Sequence, residues 1–117
     1  MDARAAVRKL RWIKLAHTAA WGFFVACIAG VPLAAWAGRF DVALLCGVAV
    51  LVEVGILVAN AWSCPLTAVA ARYTDDRRAN FDIYLPEVVA RHNKGIFGTL
   101  YVLGVAVAVL LWLARAQ

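Results

Sequence analysis

A chain of 117 residues that is 65% hydrophobic and only 16% charged is too apolar for an ordinary soluble domain, which is nearer half apolar and a quarter charged. Its net charge of +5 does not point to nucleic acid, because the basic residues gather at the ends of apolar segments and form no stripe interleaved with aromatics. The length leaves room for one small membrane domain over residues 1–117 and for no separate soluble one.

The first apolar segment runs from Leu15 to Ala37, long enough to cross a bilayer as a helix. With its basic flank and Ala35-Trp36-Ala37 it imitates a secretory signal, but the apolar stretch is long for one and reads as a retained span. Pro32, near its end, is expected to kink or shorten it. The linker Gly38-Arg39-Phe40-Asp41 is so short that the next span must return as a tight antiparallel partner.

The second span covers Val42 to Trp62. Glu53 sits near its middle and is its only residue with a formal charge at neutral pH. A carboxylate at that depth costs roughly 2.5–3.5 kcal/mol on insertion scales, so it needs a partner or a task. Cys46, Glu53, Asn60 and Thr67 recur every seven residues, within ~20° per step of one helical face, and Cys64 falls near the same line. That face is expected to point into a bundle. It reads either as helix–helix glue or as a proton, ion or ligand site.

Residues Ser63 to Gly95 form a loop with helical character. Pro65 after Ser63-Cys64 marks a helix start, and Thr74-Asp75-Asp76 marks a second. Phe81, Tyr84, Leu85, Val88, Val89 and His92 recur at helical spacing, with Pro86 as a break and Asn93 and Gly95 as a stop. Two or three short amphipathic interfacial helices are expected here. The third span follows from Ile96 to Ala114, with Gly104 and Ala108 spaced for close helix packing. Tyr101 lies too near one end of it for a direct reach to Glu53 to be expected.

Orientation follows from the basic residues. The N-terminal tail carries Arg4, Arg8, Lys9, Arg11 and Lys14, and the long loop carries Arg72, Arg77, Arg78, Arg91 and Lys94. Three spans put these ten on one side against Arg39 and Arg115 on the other, which predicts a cytoplasmic N-terminus and an exterior C-terminus. His17, Asn60, Cys64 and His92 then share one depth and are expected to converge. Two His and one Cys could bind a metal, and paired His17 and His92 could hold a haem, although no dense ligand spacing supports either. Three cysteines without close spacing argue against a disulfide framework. No Gly-rich phosphate loop, nucleophile elbow or zinc-protease pair is present.

His17, Trp62, the run Cys64-Pro65-Leu66-Thr67 and then Phe81-Asp82-Ile83-Tyr84-Leu85-Pro86 occur in an order that resembles a group of small bacterial multi-span membrane proteins sharing a domain of unknown function. The resemblance covers about residues 15–113 and implies a compact helical protein of the bacterial inner membrane. The expected fold is therefore all-α and integral to the membrane: three transmembrane helices and a cytoplasmic cap over residues 63–95. The expected partners are the lipid bilayer and other membrane subunits or further copies, with no nucleic acid. A non-enzymatic subunit leads, followed by a small oligomeric transporter or channel using Glu53 as its coupling carboxylate. A redox, haem or quinone-linked protein using His17 and His92 comes third.

Overall fold

The computed structural model describes residues 2–116. Among them the fold is all-helical, in the order α1 (Ala3–Trp36), α2 (Phe40–Ala59), α3 (Pro65–Ala70) and α4 (Glu87–Ala116). Helices α1, α2 and α4 are each long and apolar enough to cross a membrane. They match the three expected spans in number and place, but not in length.

Helix α1 begins well before Leu15. The Asp2 carboxylate accepts the Ala5 backbone N–H at 2.7 Å, a side-chain cap on the first turn. The tail that follows is rich in Ala, Arg, Lys and Leu, all strong helix formers, so the basic segment is helical rather than a loose flank. Pro32 lies inside α1 without ending it. The stop comes at Gly38, whose φ is +80°. Gly38 N–H donates to Ala35 at 3.0 Å and Arg39 N–H to Ala34 at 2.8 Å, the two bonds of a glycine-terminated helix end.

Helix α2 ends at Ala59. Ala61 and Trp62 both take left-handed backbone, with φ of 56° and 64°. Trp62 N–H reaches back to the Leu57 carbonyl at 2.6 Å, and the Asn60 amide holds the Ser63 carbonyl at 2.7 Å. Cys64, in extended backbone, then precedes Pro65 at the start of α3, as the sequence pattern predicts.

The remainder of the loop departs from expectation. Thr74 and Asp76 start no helix, because their side chains are spent locally. Thr74 Oγ1 accepts the Asp76 N–H at 3.1 Å and Asp76 Oδ1 accepts the Arg78 N–H at 2.9 Å. Such bonds offer the backbone an alternative to a helical turn. Asn80 bonds the Leu85 carbonyl at 2.8 Å, closing an irregular segment that lasts to Pro86. Pro86 is the threshold of α4 rather than a break within a helix, and Glu87 and Arg91 pair across its first turn. Asn93 and Gly95 do not stop it. Gly95 keeps helical backbone, and Asn93 Oδ1 is held by the Trp21 indole N–H at 2.8 Å. The expected cap therefore shrinks to residues 63–86 with one short helix.

The chain divides into two compact units. The first comprises Met1–Gly22 and Gly55–Asn93, and its buried residues are Ala70, Asp82 and Ile83. The second comprises Phe23–Val54 and Lys94–Gln117, and buries Cys27, Val31, Ala35, Ala43, Val50 and Gly104. Small residues dominate this second core because the helices approach closely. A Cβ on Gly104 would lie 3.1 Å from the Pro32 ring, and one on Gly30 would lie 3.0 Å from Cys46 Sγ. The expectation that Gly104 serves packing is met.

Candidate functional site: the cluster around Asp82

Asp82 is the one buried charged residue among those described, at 5% exposure. It lies in the irregular segment between Phe81 and Ile83, so burying the apolar neighbours carries it inward. An ionised carboxylate there needs hydrogen bonds, and the first unit supplies them. The Thr67 hydroxyl, on α3, donates to Asp82 Oδ2. His17, on α1, places Nδ1 3.1 Å from the Asp82 main-chain carbonyl and 3.5 Å from its carboxylate.

The tautomer of His17 follows from these partners. A main-chain carbonyl only accepts, so Nδ1 carries the proton of that bond, and Nε2 of the neutral ring is left as an acceptor. The Cys64 side chain acts electrostatically on the same imidazole. One residue along α1, Thr18 Oγ1 accepts the Tyr84 N–H at 2.9 Å, tying the loop to the helix a second time. Lys14 lies over the Tyr84 ring at 4.4 Å. Thr67, Asp82 and His17 thus form a hydrogen-bonded chain, largely sheltered from solvent. The His17 side chain is 17% exposed and that of Asp82 is 7%.

Of the residues that the sequence marks out, the structure joins His17 and Thr67 to Asp82. Asn60 turns to the Ser63 carbonyl instead. His92 is exposed on α4 and, among the described residues, makes no hydrogen bond or ion pair. No group of three or more His, Cys, Asp or Glu among the described residues is arranged to hold a metal ion. The seven-residue polar line also breaks. Because α2 stops at Ala59, only Cys46 and Glu53 share its helical face, and Thr67 belongs to α3. Pro65 and Leu66 complete the turn that presents Thr67. Phe81 and Tyr84 flank Asp82, with the Arg77 guanidinium over the Phe81 ring at 5.3 Å. Asp82 itself was legible only as part of a motif. An acid set between two large apolar residues in a loop was the signal that could have marked it as buried and partnered.

Glu53 stands in the second unit, half-buried, and no hydrogen bond or ion pair to it is found among the described residues. Tyr101 does not reach it and donates to the Gly47 carbonyl at 2.9 Å instead. Cys27 and Cys46 belong to the same unit, and neither is in a disulfide. An apolar groove of about 610 Å³ in this unit is lined by Val31, Phe40, Leu44, Gly47, Tyr101 and Trp112, among others.

No family model, curated protein or solved structure matches the chain.

Proposed function

We propose that the chain is a small multi-pass membrane subunit, without enzymatic activity of its own as its principal role, that works packed against other membrane subunits or further copies of itself. One observation carries this reading: Glu53, in the body of an apolar helix, is half-buried and has no polar partner within the described residues. A carboxylate facing lipid without a partner carries the roughly 2.5–3.5 kcal/mol insertion cost uncompensated. An Arg, Lys, hydroxyl or main-chain group from a neighbouring helix removes it. Large apolar side chains on α2 remain exposed around it, including Leu51, Val52 and Ile56, so a neighbour has surface to pack on. The N-terminus and the loop between α2 and α4 are assigned to the cytoplasm by their ten basic residues, which puts the C-terminus outside.

The test is the state of the purified protein in mild detergent. A particle larger than one chain, reduced to a single chain by Glu53→Leu and kept by Glu53→Gln, is the expected result. A clean monomer with nothing copurifying overturns the reading.

The same unpartnered carboxylate favours a second reading, a small oligomeric transporter or channel in which Glu53 takes up and releases a proton with its substrate. Proton-coupled flux in liposomes that is unchanged in Glu53→Gln rejects that role.

A further inference from the structure

We propose that the apolar groove between α2 and α4 is a binding site for one membrane phospholipid, with an acyl chain in the groove and the phosphate against Arg115. This goes beyond the subunit reading and does not rest on it.

The groove has a floor and walls. Val31 and Ala43 are buried at its base and Gly47 is half-buried beside them, while Leu44, Leu51 and Trp112 stand exposed around it. A Cβ on Gly47 would reach only ordinary contact with Val31, at 3.9 Å. Helix packing therefore does not require a glycine there, and the missing side chain leaves open room in the groove.

The length of the groove is that of one leaflet. Its lining runs from Phe40 to Leu51 on α2 and from Tyr101 to Trp112 on α4, about 16 Å on each helix at ~1.5 Å per residue. Half of a ~30 Å hydrocarbon core is about 15 Å. A partner helix crossing the bilayer would need a seam through both leaflets. A groove that stops at Leu51 and Tyr101 fits one acyl chain hanging from one surface.

The mouth carries the charge that a phosphate needs. Phe40 and Trp112 line that end, and the Arg115 guanidinium sits 5.8 Å from the centre of the Phe40 ring. Arg39 is met by Asp41 at 3.3 Å, but Arg115 pairs with no carboxylate among the described residues. Two of its five N–H donors go to the Ala35 and Trp36 carbonyls, and three are left. Arg39, Asp41 and Arg115 together leave one net positive charge beside the groove, which one phosphodiester cancels. Exposed Trp36 and Trp112 mark this end as the headgroup level.

The experiment places the whole protein in phosphatidylglycerol vesicles doped with a phosphatidylglycerol, or separately a diacylglycerol, whose acyl chain ends in a diazirine. Irradiation and peptide mass mapping locate the adducts. The expected result is phospholipid labelling of Leu51 and Tyr101 at least fivefold above Val52 and Val102, which are exposed at similar depth outside the groove. Gly47→Leu, whose side chain fills the groove, should abolish that preference. Arg115→Gln, whose amide can still donate to a carbonyl, should reduce it at least threefold. Adducts spread evenly over all exposed faces of the native protein mean a disordered lipid shell only and overturn the proposal, a result that needs no variant to fold. So do labelled Val52 and Val102 with a bare Leu51 and Tyr101, which means that protein covers the groove, and so does an unchanged pattern in Gly47→Leu. Equal groove labelling by the diacylglycerol, or no effect of Arg115→Gln, rejects the phosphate assignment.

Discussion

The His17 imidazole and the Asp82 main-chain carbonyl stand 3.1 Å apart although 65 positions separate them in the sequence. Asp82 is the knot through which the loop after α3 is fastened to α1. Removing its carboxylate strands the Thr67 hydroxyl and takes away the 3.5 Å contact to His17, leaving only the main-chain bond. Asp82→Ala is expected to lower stability by about 1–3 kcal/mol, the usual loss when a buried polar group is stranded. It should also free the loop, so that trypsin cuts faster after Arg77 and Arg78. Unchanged cleavage would show that the loop is held by other contacts.

Close helix approach makes a second prediction, of opposite sign at two glycines. Alanine is ordinarily better than glycine in a helix by roughly 0.5–1 kcal/mol. At Gly22, where an added Cβ meets nothing within 4 Å, Gly22→Ala should be neutral or stabilising. At Gly104 the same atom would fall 3.1 Å from Cδ of Pro32, a ring bonded to its own backbone and unable to swing away. Gly104→Ala should therefore destabilise, by about 1–3 kcal/mol as for other overpacked sites. Thermal unfolding in one detergent compares the two, and Pro32→Ala should relieve the second but not alter the first.

The turn after α2 carries strain that a glycine would remove. A left-handed residue with a Cβ is disfavoured by roughly 1–2 kcal/mol, and Ala61 has a φ of 56°. Ala61→Gly is expected to raise the unfolding midpoint, because it relieves that strain outside any helix. A lowered midpoint would mean that the Ala61 methyl makes contacts worth more than the strain.

Asp76 offers a titration with a definite sign. The Arg78 guanidinium, 2.8 Å away, and the Arg78 backbone N–H hold its carboxyl down at about 2, below the ordinary 3.8. A group depressed in the folded state contributes stability that is complete above its unfolded pKa and is lost as pH falls through the folded one. The turn at residues 74–78 should therefore persist from neutral pH to about 4 and loosen between about 4 and 2. Carboxylate NMR reads this directly. In Arg78→Ala the Asp76 midpoint should move back toward the ordinary value, and raised salt should weaken the native effect because the pair is exposed.

The three long helices were legible because bilayer-length apolar runs leave little alternative. Their ends were not. Asp2 capping an Ala- and Arg-rich tail is a helix start, but hydropathy begins only at Leu15 and draws attention away from it. Pro86-Glu87 is an equally good start, yet a proline amid helical spacing also reads as a break, and only the fold decides between the two. Asn93 and Gly95 look like a stop until the Trp21 indole claims the asparagine. For the site, His17 and Cys64 could be matched by depth along antiparallel spans. The link of His17 and Thr67 to Asp82 depends on the path of an irregular loop, which no periodicity encodes.

Arg115 donates to the carbonyls of Ala35 and Trp36 at 3.0 and 2.8 Å, at the end of α1. Synthesis runs from the N-terminus, so the Ala35 carbonyl meets the Gly38 N–H at once, while the Trp36 carbonyl is made some eighty residues before the side chain that satisfies it. During insertion the Trp36 carbonyl is left to water or lipid headgroups, and the native arrangement can form only when α4 has been delivered. The order of manufacture is thereby written into the protein: its first helix is finished last.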